Sequence, residues 1–255
     1  MTTGYITHPD FLKHEMGSHH PECPERIQAI NDQMIRSGID RFLHHLDAPL
    51  ASEEQLELVH SPDHIAFVKE QAPQSGYAML DGDTIMNPHT WQASLRAAGA
   101  AIAGVDAVMK GEVENVFCAV RPPGHHAEPT RSMGFCLFDN VAIAARYAME
   151  TYGIERVAII DFDVHHKLGA FCNALGPALH HALLLGVKAD TFLAVCMHIA
   201  KEGFFPATKS MPSHWNWDWY INAHHANLNS TGELTSDIAV TGKASNSIAK
   251  LTSIY

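Results

Sequence analysis

Four consecutive apolar residues, Val157-Ala158-Ile159-Ile160, run directly into the polar segment Asp161-Phe162-Asp163-Val164-His165-His166. A short continuous apolar run is the pattern of a strand covered on both faces, the kind found in parallel sheets flanked by helices. The chain before it supplies the other elements. Gly4 to Thr7 predicts a first strand, and Cys23-Pro24-Glu25-Arg26 opens a helix whose Ile27, Ile30, Met34 and Ile35 recur at helical spacing. Ser61-Pro62-Asp63 starts another helix through Ile65 and Val68. The longest helix is expected from Thr90 through Met109, stopping at Lys110-Gly111. Asn115 to Val120 then reads as strand, closed by Arg121-Pro122-Pro123-Gly124, and Asn140 to Tyr152 as helix. Further on, Phe171 to Val187 predicts helix and Phe192 to Met197 strand, whereas from Ser213 periodicity is weak. The alternation predicts an α/β fold with a mainly parallel sheet. There is no internal repeat or low-complexity linker, so residues 1–255 are expected to form a single domain.

The chemistry is concentrated just beyond two strands. Extended geometry after Ile160 sends Asp161, Asp163 and His165 to one side, where a carboxylate and an imidazole can meet one divalent ion. The other segment, Arg121-Pro122-Pro123-Gly124-His125-His126, offers two adjacent imidazoles without a neighbouring carboxylate. That composition suits proton transfer better than ligation. Both histidine pairs fall after strand C-termini, where open α/β sheets place their sites. His125 and His126 are expected within one side chain's reach of Asp163 and His165, on loops beyond adjacent strands.

Charge narrows the partners. Lys and Arg total 17 against 28 Asp and Glu, a formal charge of −11, with no basic run to follow a phosphate backbone. Nucleic acid is therefore not expected as a direct partner, and a cationic substrate is favoured. The five cysteines contain no CxxC pair, so a reduced, cytoplasmic compartment is expected. No signal peptide and no membrane span are read from the sequence.

Several segments together resemble one family. They are His8-Pro9, His20-Pro21-Glu22-Cys23-Pro24-Glu25-Arg26-Ile27, the stretch from Arg121 to Ala127, Gly134-Phe135-Cys136-Leu137-Phe138-Asp139-Asn140, and Ile160 to His166. This set is similar to the histone deacetylase and acetylpolyamine amidohydrolase superfamily, particularly its bacterial class II-like members. Residues 1–166 match well and residues 167–255 diverge. The resemblance implies a three-layer α/β/α fold of the arginase/deacetylase type, whose C-terminal part is expected to be incomplete. It also implies hydrolysis of an acetylated lysine or polyamine amine by water activated at zinc. On that reading His125 and His126 are the acid/base pair with Asp161 bonded to His125, and Asp163 and His165 are zinc ligands. Gly134 lies at the floor of a substrate tunnel with Phe135 as one wall. Phe205, in Gly203-Phe204-Phe205-Pro206, is the other wall.

The chain also departs from the family pattern. His166 is followed by Lys167 and Leu168, where the family has glycine and then Asn or Asp to orient the second imidazole. The family's third ligand and its oxyanion-binding tyrosine have no counterpart in sequence. Only Asp190, Asp218 and Asp237 follow Asp163, none in the expected context, and no Gly-Gly dipeptide occurs. The alternative expectation is a catalytically inactive, truncated relative that binds without turnover. Pairing of histidines is not diagnostic by itself, since six His-His dipeptides occur; those at His44, His180 and His224 read as surface or structural. Asp83 is expected in a solvated turn, and Trp215, Trp217 and Trp219 in packing.

Overall fold

The computed structural model describes residues 2–161, 192–198 and 248–254. In chain order its elements are β1 (Thr3–Ile6), α1 (Glu25–Ser37), β2 (Leu43–Leu46), α2 (Glu53–Leu56), α3 (Pro62–Gln71), β3 (Ala78–Asp81) and β4 (Thr84–Met86). They continue with α4 (Thr90–Met109), β5 (Asn115–Ala119), α5 (Asn140–Tyr152), β6 (Val157–Asp161), β7 (Phe192–His198) and β8 (Ile248–Ile254). Six strands form one sheet in the order β2-β1-β5-β8-β7-β6, and every neighbouring pair is parallel. A separate antiparallel hairpin joins β3 to β4. Among the described residues no helix is long and apolar enough to cross a membrane.

Side-chain alternation separates the two faces of the sheet. Tyr5 of β1 lies beside Phe117 of β5, their rings stacked at 5.8 Å. The Tyr5 hydroxyl donates to Asn31 of α1 on that face. Ile6 and Cys118 point the other way, and the Cys118 thiol reaches the Ala100 carbonyl of α4 at 3.7 Å. Helix α4 packs on β1, β5 and β8 and against α5, which in turn meets β6 and β7. The result is the three-layer α/β/α arrangement. The alanine-rich face of α4 lets backbone come close: a methyl at Gly99 would meet the Pro49 carbonyl oxygen at 1.9 Å.

The expected elements are present with ends shifted by a residue or so. β1 begins one residue earlier than read, β5 ends at Ala119, and α4 and α5 have the expected bounds. Ser61 caps α3 by accepting from the His64 N–H at 3.2 Å, with Pro62 in the first turn. The expected helix from Phe171 to Val187 lies outside the described residues. The short β2, the β3–β4 hairpin and β8 carried no sequence signal strong enough to separate them from loop. The strands before the two histidine segments, β5 and β6, are not neighbours, contrary to the expectation from sequence, because β8 and β7 lie between them. Parallel pairing nonetheless brings their C-terminal ends to the same sheet edge. Ala119 is level with Ile254, Ile254 with His198, and Asp161 is one residue below, opposite Met197.

Candidate active site

The loops that leave this edge after β1 and β5 meet above it. The loop after β5 begins with Arg121, which is fully buried, and the Arg121-Pro122 peptide is cis. The guanidinium forms a fork with Glu22, its Nε and Nη2 each 2.6 Å from a carboxylate oxygen, and Nη1 donates to the Phe11 carbonyl. Glu22 also meets His14 Nε2 at 3.2 Å, and Arg26 approaches the same carboxylate at 3.2 Å. Burial opposes charge on Glu22, but contacts with His14 and Arg121 outweigh it and hold the carboxyl well below its ordinary range. His14, fully buried and 2.8 Å from the Thr90 hydroxyl, is pushed down by desolvation. An ion pair between two buried groups of opposite charge, with its remaining lone pairs satisfied, can be sustained in an interior.

Beyond Arg121 the chain is pinned to the start of α5. The Asn140 amide donates to the Pro122 carbonyl at 3.3 Å, and a methyl at Gly124 would meet the Asn140 backbone nitrogen at 2.5 Å. His125 follows, fully buried, and His126 lies half-buried beside it. Their ring centroids are 4.0 Å apart with planes at 43°. Gly134 packs against His126, and its φ of +56° is a region where a side chain is strained. Phe135 is also left-handed at φ 69° and half-buried. Its N–H donates to the Thr84 hydroxyl of β4 at 3.0 Å, and His20 meets its ring edge-on at 4.6 Å.

Two further histidines brace the return of this loop. His60 Nε2 accepts the Asp139 N–H at 2.8 Å, so its Nδ1 carries the proton and donates to the Glu128 carbonyl at 3.0 Å. Burial, with repulsion from His64, pulls His60 down to about 3. His64 Nε2 contacts the Leu137 carbonyl at 3.2 Å and is also lowered by burial. Asp139 caps α5 by accepting from the Ala142 N–H at 3.0 Å.

Of the sequence-derived site residues, His125, His126, Gly134 and Phe135 thus come together. Asp161 ends β6 at the same edge. Asp163, His165 and Phe205 lie outside the described residues. Among the described residues no group of three or more His, Cys, Asp or Glu is placed to hold a metal ion. Asp83 lies in the β3–β4 turn, as expected, with its carbonyl 3.3 Å from His20 Nε2. The sequence assigned no role to Glu22, Arg121, His14, His60 or His64. A glutamate in a proline-rich segment and an arginine before two prolines were visible, but their pairing spans 99 positions.

Residues 20–233 match the histone deacetylase domain. The chain belongs to the histone deacetylase family. It is 40% identical over 178 residues to polyamine deacetylase HDAC10 of Rattus norvegicus, covering 66% of this chain and 30% of that protein. It is 35% identical over 187 residues to the histone deacetylase-like amidohydrolase of Pseudomonas aeruginosa, covering 73% of this chain and 45% of the relative. The chain therefore spans less than half the length of either relative. Among solved structures, the HDA15 HD domain superposes with a TM-score of 0.65 at 28% identity, covering 77% of this chain and 53% of that one. The deacetylase family is one of histone- and polyamine-deacetylase-type hydrolases, and the α/β sheet described above is its fold.

Proposed function

We propose that this chain is a zinc-dependent amide hydrolase that removes acetyl or related acyl groups from lysine or polyamine amines, within one deacetylase-like domain in a reducing cytoplasm. The observation that carries this reading is the His125–His126 pair, held side by side at the carboxyl edge of the sheet with Phe135 close by. Two imidazoles in contact can divide proton transfer: one takes the proton from the attacking water and the other delivers one to the departing amine. Gly134 permits the chain to close on His126, and Phe135 offers an apolar surface to an alkyl chain while limiting water. Asp163 and His165, shortly after β6, form a carboxylate and imidazole donor set suited to zinc. Zinc, when bound, supplies Lewis acidity toward the amide carbonyl and the water. The formal charge of −11 favours an amine-bearing substrate over an anionic one.

A second reading is favoured by Lys167 and Leu168, which place a cation and an apolar side chain after His166. On that reading the protein binds acylated amines without turning them over. The experiment follows release of free amine from an acetyl-lysine peptide and from an N-acetylated polyamine, with added zinc, beside His125→Ala. Release above that control supports hydrolysis. Release equal to the control removes it, and calorimetric binding of the uncleaved polyamine would then support the second reading.

A further inference from the structure

Glu22 contacts Arg121 and His20 by two different groups. Its carboxylate takes the Arg121 fork at 2.6 Å on each arm, where the loop toward His125 and His126 begins. Its backbone N–H donates to His20 Nδ1 at 3.1 Å, and His20 rests edge-on against Phe135 at 4.6 Å. His20 Nε2 reaches the Asp83 carbonyl at 3.3 Å, so the ring is held between the Glu22 segment and the β3–β4 turn. We propose that Glu22 is a positioning residue: through Arg121 it aims the His125–His126 pair, and through His20 it sets the stance of Phe135. This rests on the acid/base reading of the two histidines.

Three features connect the fork to the imidazoles. Only four positions separate Arg121 from His125, and two of the intervening three residues are prolines, so the tether has few soft dihedrals. The Pro122 carbonyl and Gly124 are both held against Asn140, leaving little slack to absorb a shift of Arg121. The guanidinium is fully buried, and its bidentate geometry fixes orientation as well as charge. A lysine at 121 would keep the charge and lose that orientation.

The alternative is that Glu22 merely neutralises Arg121. The two are separated in the full chain with Glu22→Met/Arg121→Met, Arg121→Lys and His20→Ala. Each is read by thermal unfolding, by the imaged imidazole signals of His125 and His126 in proton–nitrogen spectra, and by turnover of an acetyl-lysine peptide. Replacing both members of a buried pair by apolar residues commonly preserves folding, so the double variant is expected to melt near the wild type. Its His125 and His126 signals are expected to shift, with kcat lower on the order of ten- to a hundred-fold and KM little changed. Arg121→Lys is expected to behave in the same way. His20→Ala is expected to raise KM and leave kcat, since it loosens Phe135 and not the histidine loop. A folded double variant with wild-type ring signals overturns the proposal. Should the double variant fail to fold, wild-type ring signals in Arg121→Lys overturn it equally. If the wild-type chain shows no turnover, the proposed function fails while the ring signals still decide the role of Glu22.

Discussion

A methyl group on residue 134 would lie 2.5 Å from Cδ2 of His126, well inside any real carbon contact. Glycine at this position is therefore a condition for the His126 ring to stand where it does. Backbone strain adds to the clash, because φ at Gly134 is +56°. Gly134→Ala is expected to lower stability by about 1–3 kcal/mol, as for other overpacked sites, and to lower turnover by more than that loss implies. The check is a melting curve beside a deacetylation assay at a temperature where both proteins are folded. Unchanged turnover would mean that the His126 ring can move without consequence.

Ligation and proton transfer make different demands on the two histidine segments. Asp163→Ala and His165→Ala are expected to abolish zinc binding, whereas His126→Ala should leave it largely intact while removing turnover. Zinc stoichiometry of the purified variants after dialysis checks this. Equal loss of zinc in all three would assign His126 to the metal.

Acid sensitivity follows from the buried histidines. His60 is drawn down to about 3, and His14 and His64 are lowered as well, all chiefly by burial. A histidine whose folded value is depressed stays neutral while the unfolded chain takes up a proton. Its contribution is complete above about pH 6.5 and is lost as pH falls toward the folded value, at about 1.4 kcal/mol per pH unit per group. Glu22 is likewise held below its ordinary range, chiefly by His14 and Arg121 against the cost of burial, and adds a loss of the same sign at lower pH. Stability is expected to decline from pH 6.5 downward. His60→Gln, which keeps a donor for Glu128 and an acceptor for Asp139, should flatten the slope by about one histidine's share. Urea unfolding at pH 7.5, 6 and 5 measures it, and an unaltered slope would mean that His60 titrates normally.

What the sequence disclosed depended on the range of the interactions. α4 and α5 were legible to the residue because capping and helical periodicity are local, and β6 because four apolar residues in a row leave few alternatives. The short β2, with two histidines between leucines, has no pattern distinguishing it from a loop; its pairing with β1 makes it a strand. His125, His126, Gly134 and Phe135 were found through their motifs. The residues that hold those motifs in place were not, since the Glu22–Arg121 fork and the His60–Asp139 contact join segments far apart in the chain. Strand adjacency was misread for the same reason: β8, which pairs with β5, comes from the far end of the sequence.

An imidazole acting in proton transfer needs a partner for its other nitrogen, which fixes both ring orientation and tautomer. Family members supply that partner as Asn or Asp, and this chain carries Leu168, which can accept no hydrogen bond. Lys167 puts a cation next to His166 in the sequence, and a cation beside a group that takes up a proton disfavours the protonated form. Acetyl-lysine hydrolysis by the wild-type chain is therefore expected to be weak. Lys167→Gly/Leu168→Asn should raise it by roughly ten- to a hundred-fold, the usual weight of an orienting partner. The rise should appear in kcat, because an orienting partner acts on proton transfer and not on the binding of an alkyl chain. Steady-state assays of the wild type, the double variant and the double variant carrying His125→Ala measure this. No gain in the double variant would locate the limitation outside the segment after His166. A gain that survives His125→Ala would show that the added turnover does not pass through the histidine pair.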